Sequence, residues 1–390
     1  MIAGVVGWGT NVVAVQMLFH PVEFVGIRPY LGWQGIIPNA AHRMGRYIAI
    51  LIATRLVNVK ELLASLDAET MIPSVRPGLW ELADSILDTA VQDFAAPLWN
   101  GLDEKARTQV RNTVRAEVEK LAAAALDDLK DEAHEVIDIA AAIEQAILKD
   151  RSILNRLFLT AGSREFRFIR ISGLYFGFLF GLLQMAVWVI FPKWWTLPLA
   201  GVLVGYVTNW LAMKMIFEPK TPQKFGPFEF HGLFHKRQNE VAAGFSTTVS
   251  ATMLTPVNVV GQLSSGRGRE TIQGIFQRRV GEAMDTYGKH PVGGVMLQQA
   301  GRSRISSIIE RQMEVRLTQE GGILWSFVEK TLNVADSMTE KLRGLEPEAF
   351  EGVLRPAFQQ DEWKLILVGA VLGGIAGWLQ AVYVFGHALG

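Results

Sequence analysis

The chain has 390 residues, with 38 Lys and Arg against 38 Asp and Glu, so its formal charge is zero and no overall bias toward nucleic acid is present. It contains no cysteine, which excludes disulfides, cysteine-ligated zinc and thiol catalysis. It is 49% hydrophobic with a mean hydropathy of +0.21, and that average conceals four uncharged apolar runs, residues 2–19, 171–191, 194–213 and 365–386.

Each run has about the 17 to 25 residues that a helix needs to cross a bilayer core. The first predicts a membrane helix over 1–20, stopped by Pro21. It lacks the basic flank and small-residue cleavage site of a signal peptide, so it is expected to be retained. Residues 22–38 are rich in Gly, Pro and aromatics and predict an ordered turn at headgroup level, with Tyr30 and Trp33 suited to the interface. From Asn39 onward apolar residues recur at helical spacing, as in Met44, Ile48, Leu51 and Ile52. A break is expected at 74–77. Further apolar stripes begin at Leu79, Val110 and Val136, and no alternating strand pattern is visible. Residues 21–170 therefore read as a helical domain, A.

Arg151, Arg156, Arg164, Arg167 and Arg170 crowd the approach to a second membrane helix over 171–191, opposed by Glu165 alone. A short hairpin holding Lys193 leads to a third membrane helix over 194–217, and Lys220, Lys224, Lys236 and Arg237 follow it. The excess of basic residues marks the cytoplasmic side. Both helical domains are then expected in the cytoplasm, with the termini and the Lys193 hairpin outside. Residues 218–363 read as a second helical domain, B, with loops expected at 264–269 and 290–294 and a helix start at Pro347. The fourth membrane helix is expected over 364–387.

The two halves repeat. Residues 7–21 and 205–219 share seven of fifteen positions, namely Gly7/Gly205, Thr10/Thr208, Asn11/Asn209, Ala14/Ala212, Met17/Met215, Phe19/Phe217 and Pro21/Pro219. Gly173, Gly177, Gly181, Leu183 and Gln184 match Gly369, Gly373, Gly377, Leu379 and Gln380, and both read G-x-x-x-G-x-x-x-G-x-L-Q. The offsets are 198 and 196 residues. The fold class predicted is an all-α membrane protein of four transmembrane helices carrying two long cytoplasmic helical domains, built as a tandem, parallel repeat.

Few residues suggest chemistry. Asn11, Thr10, Asn209 and Thr208 fall within the first and third membrane helices, and Gln184 and Gln380 within the second and fourth. An amide in hydrocarbon needs a partner, so these are expected to meet as a polar cluster on the pseudo-twofold axis, either joining helices or forming a small site. No Asp, Glu, Arg or His stands at mid-membrane, which argues against an ion-coupled pump. The glycine rows, Gly173, Gly177, Gly181, Gly369, Gly373 and Gly377, are expected to let helix backbones approach closely. Arg164, Arg167, Arg170, Lys214, Lys236 and Arg237 are expected to contact lipid headgroups, anionic ones included. His231 and His235 stand four apart, but Gly232 follows the first and no carboxylate lies between them, so no metal site is expected. No phosphate loop, nucleophile elbow or paired catalytic acids are present, and neither cofactor nor enzymatic activity is expected.

The motif G-[WY]-x-T-N-x-x-A-x-x-M-x-F-x-P, with Gly-Leu-Phe-His-Lys-Arg-Gln-Asn-Glu-Val-Ala at 232–242 and Leu-Glu-Pro-Glu-Ala-Phe-Glu-Gly-Val-Leu at 345–354, resembles an uncharacterised bacterial membrane family. That family is the domain of unknown function 445, which includes YheB-like and YjiN-like proteins. The resemblance implies a bacterial inner-membrane protein with long helical cytoplasmic segments, and it transfers no catalytic residues. The first copy departs at Ile36-Ile37-Pro38-Asn39, which lacks the Lys-Arg pair. The reading favoured is a non-enzymatic, membrane-anchored scaffold that binds a cytoplasmic protein partner. The alternative is lipid or hydrophobic-substrate transfer through an apolar groove in the helical domains. A filled domain interior favours the first, and a lined apolar groove the second.

Overall fold

The computed structural model describes residues 2–27, 31–64, 66–132, 137–226, 228–289, 298, 300–331 and 334–383. Tyr30, Val136, residues 290–294 and residues 384–387, all assigned above, lie outside these. The described chain is nearly all helical. Its first half runs α1 (Ile2–Phe19), β1 (Val25–Ile27), β2 (Leu31–Trp33), α2 (Ile36–Asn39), α3 (Ala41–Leu51), α4 (Val59–Ala64), α5 (Ala68–Ala90), α6 (Ala96–Asn100), α7 (Glu104–Asp131), α8 (Ile139–Lys149), α9 (Ser152–Ala161) and α10 (Ser163–Ile190). The second runs α11 (Thr196–Phe217), β3 (Gln223–Phe225), β4 (Phe228–Phe230), α12 (Leu233–Lys236), α13 (Gln238–Thr252), α14 (Pro256–Leu263), α15 (Gly266–Gly288), α16 (Arg302–Thr318), α17 (Ile323–Thr331), α18 (Val334–Arg343), α19 (Pro347–Gln359) and α20 (Glu362–Tyr383).

Three helices, α10, α11 and α20, are long and apolar enough to cross a membrane, and α1 is a shorter apolar helix. Several features recur at fixed spacing. Helices α5 and α15 are 198 residues apart at both ends, as are strands β1 and β3. The Gly35 N–H donates to the Pro21 carbonyl, and the Gly232 N–H to the Pro219 carbonyl, each at 2.9 Å.

The chain forms two compact units, and each takes segments from both halves of the sequence. The first comprises Met1–Ile52, Glu144–Met253 and Ala335–Gly390. In it α1 packs on α10 and α11 on α20, while α9 packs on α13 and α19 on α3. Met44, Ile48, Leu154, Leu157, Phe245 and Phe350 are fully buried there. The second comprises Ala53–Ile143 and Leu254–Val334. In it α5 packs on α7, α16 and α17, and α15 packs on α7 and α14. Helix starts follow local chemistry: the Asp67 carboxylate accepts from the Glu69 N–H at 3.1 Å, and Asp103 from the Ala106 N–H at 2.7 Å.

Three expectations are corrected. The break at 74–77 is absent, because α5 runs through Pro73 and Pro77. The two prolines are exposed and four residues apart, so the carbonyls they leave unpaired lie on a face open to water. Residues 264–269 are only partly loop, since α15 begins at Gly266. Strands exist where none was expected. Each is three residues long, too short for period-2 alternation to show.

Candidate functional site

The second unit does not fill its own interior. Its helices turn apolar stripes toward one another and leave a cavity of about 370 Å³. Met71, Val75, Leu79 and Leu82 of α5 line one side, and Val114, Val118, Leu121 and Leu126 of α7 another. Ile272, Ile275 and Phe276 of α15, Ile309 and Leu317 of α16, and Ile323 and Phe327 of α17 complete the wall. The small side chains Ala122 and Ala125 stand where larger apolar residues would have occupied the space. Natural ligand pockets span about 300 to 1,000 Å³ and are mostly apolar with few polar groups. Here the polar groups are Thr113, Glu117 and Tyr287. The Thr113 hydroxyl is turned to the Gln109 carbonyl at 2.9 Å. The Tyr287 hydroxyl donates to the Glu117 carboxylate. Burial, with that bond second, pushes the phenol up to about 12. The Lys120 ammonium, which donates to Glu117 at 2.6 Å, holds that carboxyl below its usual range.

A second groove of about 880 Å³ adjoins the cavity between α15 and α16, and both are lined by Ile272, Phe276, Val280 and Leu317. Its character differs. Arg269 and Gln273 of α15 face Ser306, Glu310, Arg311 and Glu314 of α16. Arg269 and Gln273, and Ser306, Glu310 and Glu314, stand four residues apart on their helices, which places them along one face, with Arg311 beside it. Arg269 pairs with Glu314, and the Gln277 amide donates to Glu310 at 3.1 Å. Arg311 is exposed and makes no close ion pair among the described residues, and its charge helps to hold the Asp93 carboxyl below its usual range.

In the first unit the residues expected as sites separate into groups. Asn11 is buried and its amide donates to the Ile169 carbonyl at 2.7 Å; Asn209 is buried and donates to the Leu365 carbonyl at 3.0 Å. Gln184 and Gln380 lie fifteen residues beyond those carbonyls on the same helices, about 22 Å along the axis. The expected joint cluster is therefore corrected: each asparagine joins one helix pair, and the glutamines stand apart, half-buried. Thr10 and Thr208 donate to Gly7 and Gly205 of their own helices, at 3.0 and 3.3 Å. A hydroxyl proton given to a carbonyl one turn back is not available to a partner helix.

The glycine rows stand at helix contacts. A methyl on Gly177 would meet the Ala3 carbonyl oxygen at 2.8 Å and the Gly7 Cα at 3.3 Å; one on Gly173 would collide with the Gly7 carbonyl. Gly369 lies against Gly205 and the Asn209 amide, Gly373 against Gly201, and Gly377 against Leu197. A Cβ on Gly181 would meet the Ala3 side chain instead of backbone.

The basic residues also divide. Arg164, Arg167, Arg170 and Lys236 are exposed. Lys214 lies 3.6 Å from Glu218 and over the Trp210 ring. Arg237 is corrected: its side chain is 12% exposed and its Nη1 donates to both oxygens of buried Glu165, at 2.7 and 2.8 Å. Arg237 also holds Glu240, which Arg164 approaches at 3.3 Å. At α20 the buried carboxylate of Asp361 pairs with Arg43 of α3.

Sequence reading missed the buried carboxylates. One signal was present: Glu165 precedes Gly173 by eight residues, as Asp361 precedes Gly369. A second buried group surrounds Glu351, with Arg355 bonded to it and both Lys220 and His235 at 3.5 Å. Burial holds the His235 imidazole below its ordinary value, and the Glu351 carboxylate opposes that shift. The His231 ring stacks on His235 with centroids 6.2 Å apart and its Nε2 lies 3.2 Å from the Lys220 carbonyl. Among the described residues, no group of three or more His, Asp or Glu is placed to hold a metal ion.

The chain is similar to UPF0754 membrane proteins. It is 37% identical to one from Microcystis aeruginosa over 75 residues, 17% of each chain. It is 34% identical to one from Exiguobacterium sibiricum over 83 residues, 20% of this chain and 22% of that one. It is 27% identical to one from Bacillus cereus over 177 residues, 42% of this chain and 45% of that one. The matched part thus spans less than half the length of each of these relatives. Their name states a membrane location and no activity. No family model and no solved structure matches the chain.

Proposed function

We propose that the chain is a membrane protein whose second unit binds an aliphatic chain, such as the acyl tail of a lipid, in its apolar cavity. The observation that carries this is the roughly 370 Å³ space walled by aliphatic and aromatic side chains, with polar groups few and mutually satisfied. Each methylene taken from water into such a wall contributes about 0.8 kcal/mol. A scaffold that only presented helices would be expected to pack these stripes on each other, so we favour ligand binding over the scaffold reading. The whole would be a multi-pass bacterial inner-membrane protein related to the domain of unknown function 445. It would have four spans, α1 included, and two tandem copies running in the same direction. The recurrence of helix ends, hairpins and glycine contacts supports the repeat. The basic excess near α10 and α11 supports helical domains A (21–170) and B (218–363) on the cytoplasmic side.

The test is photolabelling of the detergent-purified full chain with a fatty acid bearing a diazirine near its methyl end. Labelled peptides should come from α5, α7 and α15 as well as from the membrane helices. Ala125→Trp, which fills the cavity, should remove the former and keep the latter. Labelling confined to α1, α10, α11 and α20 would exclude the proposal. Sidedness is read separately: because the chain has no cysteine, a single one at exposed Lys193 or Gln109 should react with an impermeant thiol reagent from opposite sides.

A further inference from the structure

We infer that the ligand is an amphiphile whose headgroup is zwitterionic, a phosphodiester joined to an ammonium, seated in the groove between α15 and α16. The inference rests on the aliphatic-chain reading above and adds the identity of the head. Two observations lead to it. First, cavity and groove share walls at Ile272, Phe276 and Leu317, so one molecule can extend from the apolar space into the polar one. A free hydrocarbon would have no use for the second space, which is about 880 Å³ against 370 Å³.

Second, the groove's charges are balanced and only half matched. Arg269, Glu310, Arg311 and Glu314 all line it. One pair, Arg269 with Glu314, is closed. The neighbouring residues Glu310 and Arg311, both exposed, form no ion pair with each other; Arg311 acts on Asp93 through its charge, and Glu310 accepts an amide hydrogen bond from Gln277. A simple anion would satisfy Arg311 but would sit beside two carboxylates. A simple cation would satisfy Glu310 but would sit beside two guanidinium groups. A head carrying both signs pairs each without repulsion, with the guanidinium on the phosphate and the carboxylate on the ammonium. Ser306, one helical turn before Glu310, lies in the same wall and offers a hydroxyl to ester oxygens.

The test uses the detergent-purified full chain and a diazirine-tailed phosphatidylethanolamine as the probe. Unlabelled phosphatidylethanolamine, phosphatidylglycerol and oleic acid compete for labelling of the α5, α7 and α15 peptides. The ethanolamine lipid should compete about tenfold better than either of the others, the value of one charge-assisted hydrogen bond. In the double variant Glu310→Gln/Glu314→Gln, that preference should move at least about tenfold toward phosphatidylglycerol, with cavity labelling retained. Equal competition by all three in the wild type, or a stronger effect of phosphatidylglycerol or oleic acid, overturns the head assignment and leaves the acyl-chain reading standing. An unchanged preference in the double variant also overturns it. Absence of cavity labelling by any lipid overturns both. The wild-type competition needs no variant to fold.

Discussion

Replacing Arg237 by alanine should destabilise the first unit strongly, and the structure fixes how strongly. The Arg237 guanidinium meets both oxygens of Glu165 at 2.7 and 2.8 Å, and Glu165 is only 5% exposed. Removing the arginine leaves that carboxylate buried without a counter-charge, which costs about 3 to 5 kcal/mol. The second contact, to the half-exposed Glu240, adds only about 0 to 1 kcal/mol because water screens it. For a unit of this size 1 kcal/mol corresponds to roughly 2 to 4 °C, so the unfolding midpoint should fall by roughly 6 to 24 °C. The assay is thermal unfolding of the purified protein in a fixed detergent, with and without added anionic lipid. Adding Glu165→Leu to Arg237→Ala should recover most of the loss, since a buried ion pair is generally replaceable by apolar groups. A headgroup-binding Arg237 would behave differently, changing the response to anionic lipid and leaving the midpoint in place. That result, or failure of the double variant to recover, would refute the buried-pair reasoning.

Other outcomes follow from neighbouring geometry. Arg43→Ala should cost less than Arg237→Ala, because Lys364 remains 2.6 Å from Asp361; the same thermal assay ranks the two. Gly7→Ala forces a methyl against the Gly173 backbone and should destabilise by more than 1 kcal/mol, whereas Gly9→Ala meets nothing within 4 Å and should stabilise by up to about 1 kcal/mol through helix propensity. Asn11→Leu removes the bond to the Ile169 carbonyl and should cost about 0.6 to 2 kcal/mol, measured as the shift in denaturant midpoint. His235 is held below the ordinary histidine value of 6.5 by burial, so the unfolded chain takes up that proton first as pH falls. Its contribution is complete above pH 6.5 and is lost as pH falls toward the folded value. His235→Phe should flatten the pH dependence of the midpoint below 6.5.

Much of the helical content and one packing motif were legible in the sequence. Glycines four apart carry a direct meaning, because only a residue without Cβ lets Gly173 lie on the Gly7 backbone. Asparagine in an apolar helix likewise announces a partner, although the sequence could not say that a backbone carbonyl, in place of Gln184, would satisfy it. The cavity was not legible. Ala122 and Ala125 read as ordinary stripe positions, and their role emerges only when α5 and α15 stand opposite them. Arg237 was misread for a similar reason. A basic residue after an apolar run looks like a headgroup contact, while its partner Glu165 lies 72 residues away in sequence.

The most informative difference lies between two positions that stand at the same distance before a glycine row. Asn155 precedes Gly173 by eighteen residues, and Glu351 precedes Gly369 by the same number. Asn155 is buried and its amide donates to the Phe19 carbonyl at 2.8 Å. Glu351 is equally buried but gathers Lys220, His235 and Arg355, the last of which also lies over the Phe217 ring at 4.5 Å. In the first half, then, a neutral amide closes this helix against the end of α1. Buried charge is expensive to maintain, so the ionic version in the second half is not explained by the needs of the fold. The same half carries the charged groove of α15 and α16, whereas α5 and α7 turn Met71, Val75, Val114 and Val118 into the apolar cavity. Both halves thus supply apolar wall to the cavity, and the second adds the charged groove beside it.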